Sequence, residues 1–258
     1  MSVIFYFSGS GNSLDAAKQA AAALADCRLE SMAAYLKQPY TIEDTEIGFA
    51  FPVHCFDLPP FVQEFLGKLE AKPSYTFAIA TMGGSQGRTL KHLQELLAAR
   101  GITLNYAATL VMPDNFFLNG RSKFPQMLAD ADKALLKIVD AIHGRQEDTS
   151  LCRESGLLKW FGVDACWWFM HDILHIGQLS LMQGKCISCG KCAKVCPVGN
   201  ITMENGRPVF GSNCVACFAC RHWCPQHIIK MGGMKSKAKE SYTNPNINIQ
   251  EMYHEEGK

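Results

Sequence analysis

The chain has 258 residues, enough for one domain or two. Its apolar share of 48% supplies a buried core but falls short of a membrane protein, and a net charge of +1 makes no electrostatic case for nucleic acid or anionic lipid. Residues 1–150 carry 13 basic and 16 acidic side chains, and residues 151–258 carry 12 and 8. Met1 to Phe7 lacks a basic lead-in, and its apolar run is too short for a secretory signal. Together with twelve cysteines, this points to a reducing cytoplasm.

Ser2 to Phe7, β-branched and aromatic, reads as a buried strand that stops at Ser8-Gly9-Ser10-Gly11-Asn12-Ser13. An alanine-rich helix, Leu14 to Ala25, follows. Strand, Gly/Ser turn and helix together make an anion site, because turn amides and the helix dipole converge on one spot and three hydroxyls add donors. A nucleoside triphosphate loop would end in Gly-Lys-Ser/Thr, and no lysine is present. A dinucleotide loop needs a third glycine where Leu14 stands. A monophosphate needs only the hydroxyls and amides.

A weak strand near Cys27 to Met32 comes next, then strand Glu46 to Phe51 and helix Pro59 to Glu70. Strand Tyr75 to Thr81 ends in Met82-Gly83-Gly84-Ser85-Gln86-Gly87 and leads into a helix from Arg88 to Arg100. Strand Ile102 to Met112, the segment Pro113-Asp114-Asn115-Phe116-Phe117 and a long helix from Phe124 to His143 complete the region. Five strands alternating with helices predict an α/β doubly wound parallel sheet covered on both faces. The region 1–145 resembles the flavodoxin family, which implies sheet order 2-1-3-4-5 and FMN at the switch point. By that resemblance Ser8, Gly9, Ser10, Gly11, Asn12 and Ser13 bind the FMN phosphate. Pro52, Val53, His54, Cys55 and Phe56, with Thr81, Met82, Gly83, Gly84, Ser85, Gln86 and Gly87, border the isoalloxazine ring. The second loop has no aromatic, so Phe56 or His54 is expected to cover one ring face, leaving the other for a substrate or the following domain. Cys55 reads either as a thiol beside the flavin or as a small space-filling residue, and His54 as a proton donor or a packing ring.

Residues 146–182 form a polar linker around Gly144 to Ser155 and then an apolar helix from Leu157 to Met182, expected to pack on both domains. Lys159, Asp164, His171, Asp172 and His175 interrupt it too often for a membrane span. Asp164, His171, His175 and Gln178 make one polar stripe, and the paired histidines find no third metal ligand.

From Cys186 the chain spells one word twice. Cys186-x-x-Cys189-x-x-Cys192-x-x-x-Cys196-Pro197 returns 28 residues later as Cys214-x-x-Cys217-x-x-Cys220-x-x-x-Cys224-Pro225. Zinc takes four thiolates but gives no reason for a third close cysteine, a Cys-Pro ending or the duplication, and disulfides need an oxidising compartment. Residues 183–232 resemble the bacterial two-[4Fe-4S] ferredoxins, a small α+β fold. The resemblance implies one cluster on Cys186, Cys189, Cys192 and Cys224, and a second on Cys214, Cys217, Cys220 and Cys196. Such oxygen-sensitive chemistry suits an anaerobe. Cys27, Cys152 and Cys166 belong to no motif and read as structural.

Residues 233–258 are lysine-rich and then polar, a composition compatible with a disordered tail. The whole arrangement resembles the flavodoxin–ferredoxin fusions of the EFR type. That resemblance implies an electron-transfer protein passing electrons between FMN, two [4Fe-4S] clusters and an external redox partner. The alternative is a flavin-dependent reductase of a small organic substrate fed by the clusters. No second glycine-rich nucleotide motif supports NAD(P)H.

Overall fold

The computed structural model describes residues 1–36, 40–114, 120–153, 157–182, 186–232 and 241–254, with the side chains of 157–161 excepted. Asn115 to Phe117, Lys235, Lys237 and Lys239 therefore lie outside the described residues, as do the side chains of Lys159 and Trp160. The chain packs as two units. One comprises Met1–Phe7 with Asn12–Val163; the other comprises Ser8–Gly11 with Asp164–Lys258.

In the first unit β1 (Ser2–Tyr6) leads to α1 (Asn12–Ala23), β2 (Cys27–Ser31), β3 (Tyr40–Ile42), β4 (Glu46–Pro52), α2 (Pro60–Lys68) and β5 (Leu69–Ala71). Then come β6 (Tyr75–Met82), α3 (Thr89–Ala99), β7 (Tyr106–Val111), α4 (Phe124–His143) and the start of α5 (Leu157–Trp168). The main sheet runs β2-β1-β4-β6-β7 and all of its pairings are parallel. Counted in order of appearance this is 2-1-3-4-5, the flavodoxin-like order, with its reversal beside β1.

Alternation along β1 sends neighbouring side chains to opposite faces. Phe5 enters an aromatic cluster with Phe49, Tyr35, Tyr40 and Phe65 of α2, with 5.0 Å between the Phe5 and Phe65 rings. Ile4 joins Ala50, Ile79 and Leu110 under Ala16, Ala17 and Ala20 of α1 and Leu135 and Ile138 of α4. Alanines on α1 let that helix lie close to the sheet, and Pro60 at the first turn of α2 loses no needed N–H. Helix α4 has the expected bounds. The expected helix to Glu70 stops at Lys68 instead, because Leu69–Ala71 pairs in parallel with Tyr40–Ile42. Neither three-residue strand has an alternating run long enough to show in the sequence.

In the second unit the continuous helix expected to Met182 is interrupted. It ends at Trp168, and one π-helical turn follows over Phe169–Ile173. His175 then takes a left-handed φ of 48°. Asp164, His171, His175 and Gln178 are exposed, as a solvated stripe should be. No described helix is long and apolar enough to cross a membrane.

The unit continues with β8 (Leu179–Leu181), α6 (Lys191–Lys194), β9 (Ile201–Glu204), β10 (Arg207–Phe210), α7 (Ala219–His222) and β11 (Ile229–Met231). The 28-residue repeat is copied in the backbone. It carries β8 onto β10, α6 onto α7 and β9 onto β11 in their starting positions. It also carries the left-handed residues Ser188, Gly190 and Gly199 onto Ala216, Phe218 and His227. Each antiparallel pair joins the two copies: β8 pairs with β11, and β9 with β10.

The described part of the tail departs from the disordered expectation. Tyr242, Asn244, Ile247 and Met252 are buried, and a 3₁₀ turn at Ile249–Met252 is capped reciprocally by Asn248 and Glu251. Within this unit the tail's Asn244 N–H donates to Ser10 O at 2.8 Å, and His254 N–H donates to Lys194 O at 2.8 Å. Tyr253 lies under the Lys194 ammonium at 5.3 Å.

Burial pushes the His254 imidazole down to about 4. The docked tail therefore binds fewer protons than the released tail between the ordinary imidazole value and about 4, so docking is favoured above that range and weakens as pH falls through it. Each pH unit shifts the balance against docking by up to about tenfold. Limited proteolysis should cut the C-terminal segment progressively faster from pH 7 to pH 4.5, and His254→Gln should flatten that dependence.

Candidate functional site

The duplicated cysteines ring two cavities. One is lined by Cys186, Cys189, Cys192 and Cys224, with Leu181, Met203, Pro208 and Ile228 closing it. The other is lined by Cys196, Cys214, Cys217 and Cys220, with Leu179, Val198, Ile201 and Phe218. Each cavity takes three cysteines from one motif and the fourth from the other. The crossing follows from the repeat: α6 and α7 lie together, and the last cysteine of each motif leaves its short helix toward the opposite copy.

No disulfide joins any of the described cysteines. Among the described residues no three His, Cys, Asp or Glu side chains are grouped to hold a single metal ion; the cysteines surround two spaces instead. Burial pushes Cys192 up to about 11 and Cys217 up to about 12, and raises Cys214 and Cys220, with neighbouring thiolates adding to the rise. Thiols crowded this way hold their protons until a positive centre takes the thiolates, and iron does so outright. Backbone amides are already aimed at sulfur. Ser188 N–H donates to Cys186 Sγ at 3.4 Å and Asn200 N–H to Cys196 Sγ at 3.2 Å, contacts that tune a cluster's potential. By ligand chemistry, number and enclosure, both cavities fit cubane clusters.

The phosphate-loop candidates lie where β1 hands over to α1. Ser8, Ser10, Asn12 and Ser13 are all buried. Gly11, at φ 100°, turns its N–H onto Ser8 Oγ at 3.1 Å, which leaves the Ser8 hydroxyl proton available to a ligand. Trp223 Nε1–H donates to Gly9 O at 3.0 Å within the second unit. Asn12 Nδ2 donates to Pro113 O at 2.9 Å, and Ser13 Oγ lies 2.8 Å from Thr81 Oγ1. A hydroxyl-rich turn opening a twelve-residue helix fits a monophosphate.

The two ring-loop candidates are stitched together. Pro52 ends β4 opposite Thr81, and Val53 N–H donates to Thr81 O at 2.9 Å. His54 and Asp57 exchange backbone hydrogen bonds across Cys55 and Phe56, both left-handed at φ 47° and 62°, which makes a type I′ turn from two non-glycine residues. Phe56 stands 44% exposed at its tip, and His54 meets the Phe7 ring edge-on at 6.0 Å. In the second loop Met82 and Gly83 are half-buried and Gly84 and Ser85 exposed. Gln86 Nε2 donates to Leu151 O at 2.9 Å while its buried Oε1 has no hydrogen-bond partner. An unmatched buried acceptor in this loop suits a ring that brings its own N–H donor.

Sequence reasoning missed what holds the strained turn. Asp57 is 2% exposed; one carboxylate oxygen accepts from Arg88 Nε at 2.8 Å, and the other accepts from Leu58 N–H at 2.7 Å and lies 2.9 Å from His92 Nδ1. Burial alone would raise this carboxyl, but the bonds from His92, Arg88 and Leu58 outweigh it and hold the group below its ordinary value. The signal was a lone acid set between apolar Phe56 and Leu58. Cys152 is buried and pushed up to about 11, Cys27 likewise to about 11, as inert structural thiols are.

Residues 178–240 match the family model described as a 4Fe-4S dicluster domain. A solved structure described as a "Putative flavoprotein" from Bacteroides uniformis ATCC 8492 is 20% identical, covering 43% of this chain and 89% of its own, at a TM-score of 0.36. No curated protein matches the chain.

Proposed function

We propose that the chain is an electron-transfer protein that holds FMN on residues 1–145 and two [4Fe-4S] clusters on residues 183–232, joined through 146–182 and followed by the segment 233–258. The observation that carries this reading is the pair of cavities, each lined by four cysteines drawn three and one from the two motifs. The match of residues 178–240 to a dicluster domain supports it, and the flavodoxin-like strand order supports the flavin half.

FMN supplies two-electron chemistry and the clusters one-electron transfer, so a chain holding both converts between the two kinds of traffic. The protein's own part is to bind and orient. Ser8 to Ser13 offer amides and hydroxyls to the phosphate, the Cys55–Phe56 turn and the Thr81–Gly87 loop frame the ring, and the Asp57 ion pair fixes one loop against the other. Around the clusters, apolar side chains limit water while backbone N–H groups meet sulfur.

A reductase acting on a small organic substrate is the second reading. It is favoured by a second loop, Thr81 to Gly87, that brings no aromatic to the ring, beside an exposed Phe56.

Anaerobic reconstitution decides the assignment. About eight iron atoms and eight sulfides per chain, with FMN identified by mass in the released flavin, are the expected result. Rapid mixing should then show flavin and cluster signals changing together at a rate independent of protein concentration. Concentration-dependent exchange would remove the intramolecular role, and turnover of a specific organic substrate would favour the reductase.

A further inference from the structure

The two halves of the cluster domain share spacing, turns and strand pairing, but they do not meet solvent equally. In the first copy Ile187 is 57% exposed, and Ser188 and Cys189 are exposed beside it. Their counterparts 28 residues on are withdrawn: Val215 is half-buried, Ala216 is 3% exposed and Cys217 is 8% exposed. Cys220, the counterpart of half-buried Cys192, is 6% exposed. The cavity of Cys186, Cys189, Cys192 and Cys224 therefore has a ligand at the surface, while the other has two buried cysteines, Cys217 and Cys220, and two half-buried ones.

Charge follows the same division. Lys191, which lines the first cavity, and the exposed Lys194 are replaced in the second copy by buried Ala219 and His222. The hairpin β9–β10, whose Met203 and Pro208 close the first cavity, ends in Glu204 and Arg207, which cancel. An exposed isoleucine beside a metal ligand, with two lysines on the adjoining helix, is an apolar centre with a basic rim. Electron exchange falls steeply with distance, so a carrier must come to the place where a ligand reaches solvent.

We propose that the first cavity is the port where the domain exchanges electrons with an acidic one-electron carrier protein, and that the second cavity holds the inner relay. This rests on the cluster assignment made above. One electron passes per encounter, the donor losing what the acceptor gains, with no bond made or broken.

The test uses the full-length protein with flavin and clusters loaded, and a reduced acidic one-cluster ferredoxin as the carrier. Iron content and cluster EPR are measured first: a protein without clusters fails the underlying assignment before any rate is taken. With both clusters present, Ile187→Gln and the pair Lys191→Glu/Lys194→Glu should each slow the second-order rate about tenfold. The lysine pair should also weaken the salt dependence. Ser212→Glu, at an exposed position leading into the second motif, should leave the rate within about twofold. If Ile187→Gln perturbs the first cluster, the lysine pair alone carries the test. An unchanged rate and salt dependence in the lysine pair, or equal slowing by Ser212→Glu, overturns the port.

Discussion

Replacing Cys196 with alanine should empty the second cavity and spare the first, although Cys196 belongs to the first motif. Iron per chain should fall from about eight to about four, and the remaining EPR signal should be that of the cluster on Cys186, Cys189, Cys192 and Cys224. The reason is geometric: Cys196 lines the cavity with Cys214, Cys217 and Cys220, and all three of those thiols are raised in part by Cys196 itself. Cys224→Ala is the mirror experiment, since its thiol lies with Cys189 and Cys192. Loss confined to the first cluster in the Cys196 variant would show that each motif keeps its own fourth ligand. Retention of all the iron would remove Cys196 from the ligands altogether.

The crossed lining of the two cavities follows the ligand sets that the resemblance to the two-cluster ferredoxins implies, and the cysteine spacing that carries the resemblance is a local constraint that little in the rest of the fold can override. The parallel sheet was legible for a related reason. Strands buried on both faces read as unbroken apolar runs, as in Ile47 to Phe51 and Phe77 to Ala80, and amphipathic α4 carries its period over twenty residues. What stayed hidden depends on tertiary contacts. The β3–β5 ladder has three residues a side and forms only once both segments are brought together. The π-helical turn at Phe169–Ile173 breaks a run whose apolar pattern continues through it. The packed tail was masked by its polar composition, although Asn248 and Glu251 spell a capping box and Ile247 and Met252 flank it with apolar anchors. Cys55 and Phe56 carry no sign of left-handed backbone, because neither is a glycine or asparagine. Among the described contacts, the Asp57 anchor gives a reason why they tolerate it.

Gly87→Val should abolish flavin binding while leaving the iron content at its wild-type value. Gly87 sits at φ 57°, where a β-branched residue is strained, and a Cβ built there would meet Phe56 O at 2.0 Å and Phe56 Cβ at 2.4 Å. That oxygen accepts the Arg88 N–H at 2.9 Å, so it cannot yield without moving Arg88 away from Asp57. The clash therefore drives apart the two loops assigned to the ring and loosens the buried ion pair between them. Together these should cost about 3–5 kcal/mol of stability in the first unit and at least about a hundredfold in flavin affinity. Gly67→Ala in α2, where a Cβ meets nothing within 4 Å, is the matched control and should be neutral or stabilising by up to about 1 kcal/mol. Flavin fluorescence titration and thermal unfolding read the two effects separately. If Gly87→Val destabilises the unit but the folded protein binds FMN as tightly as before, the Cys55–Phe56 turn does not border the flavin. Loss of iron together with flavin would instead mean that the two cofactor sites do not fold independently.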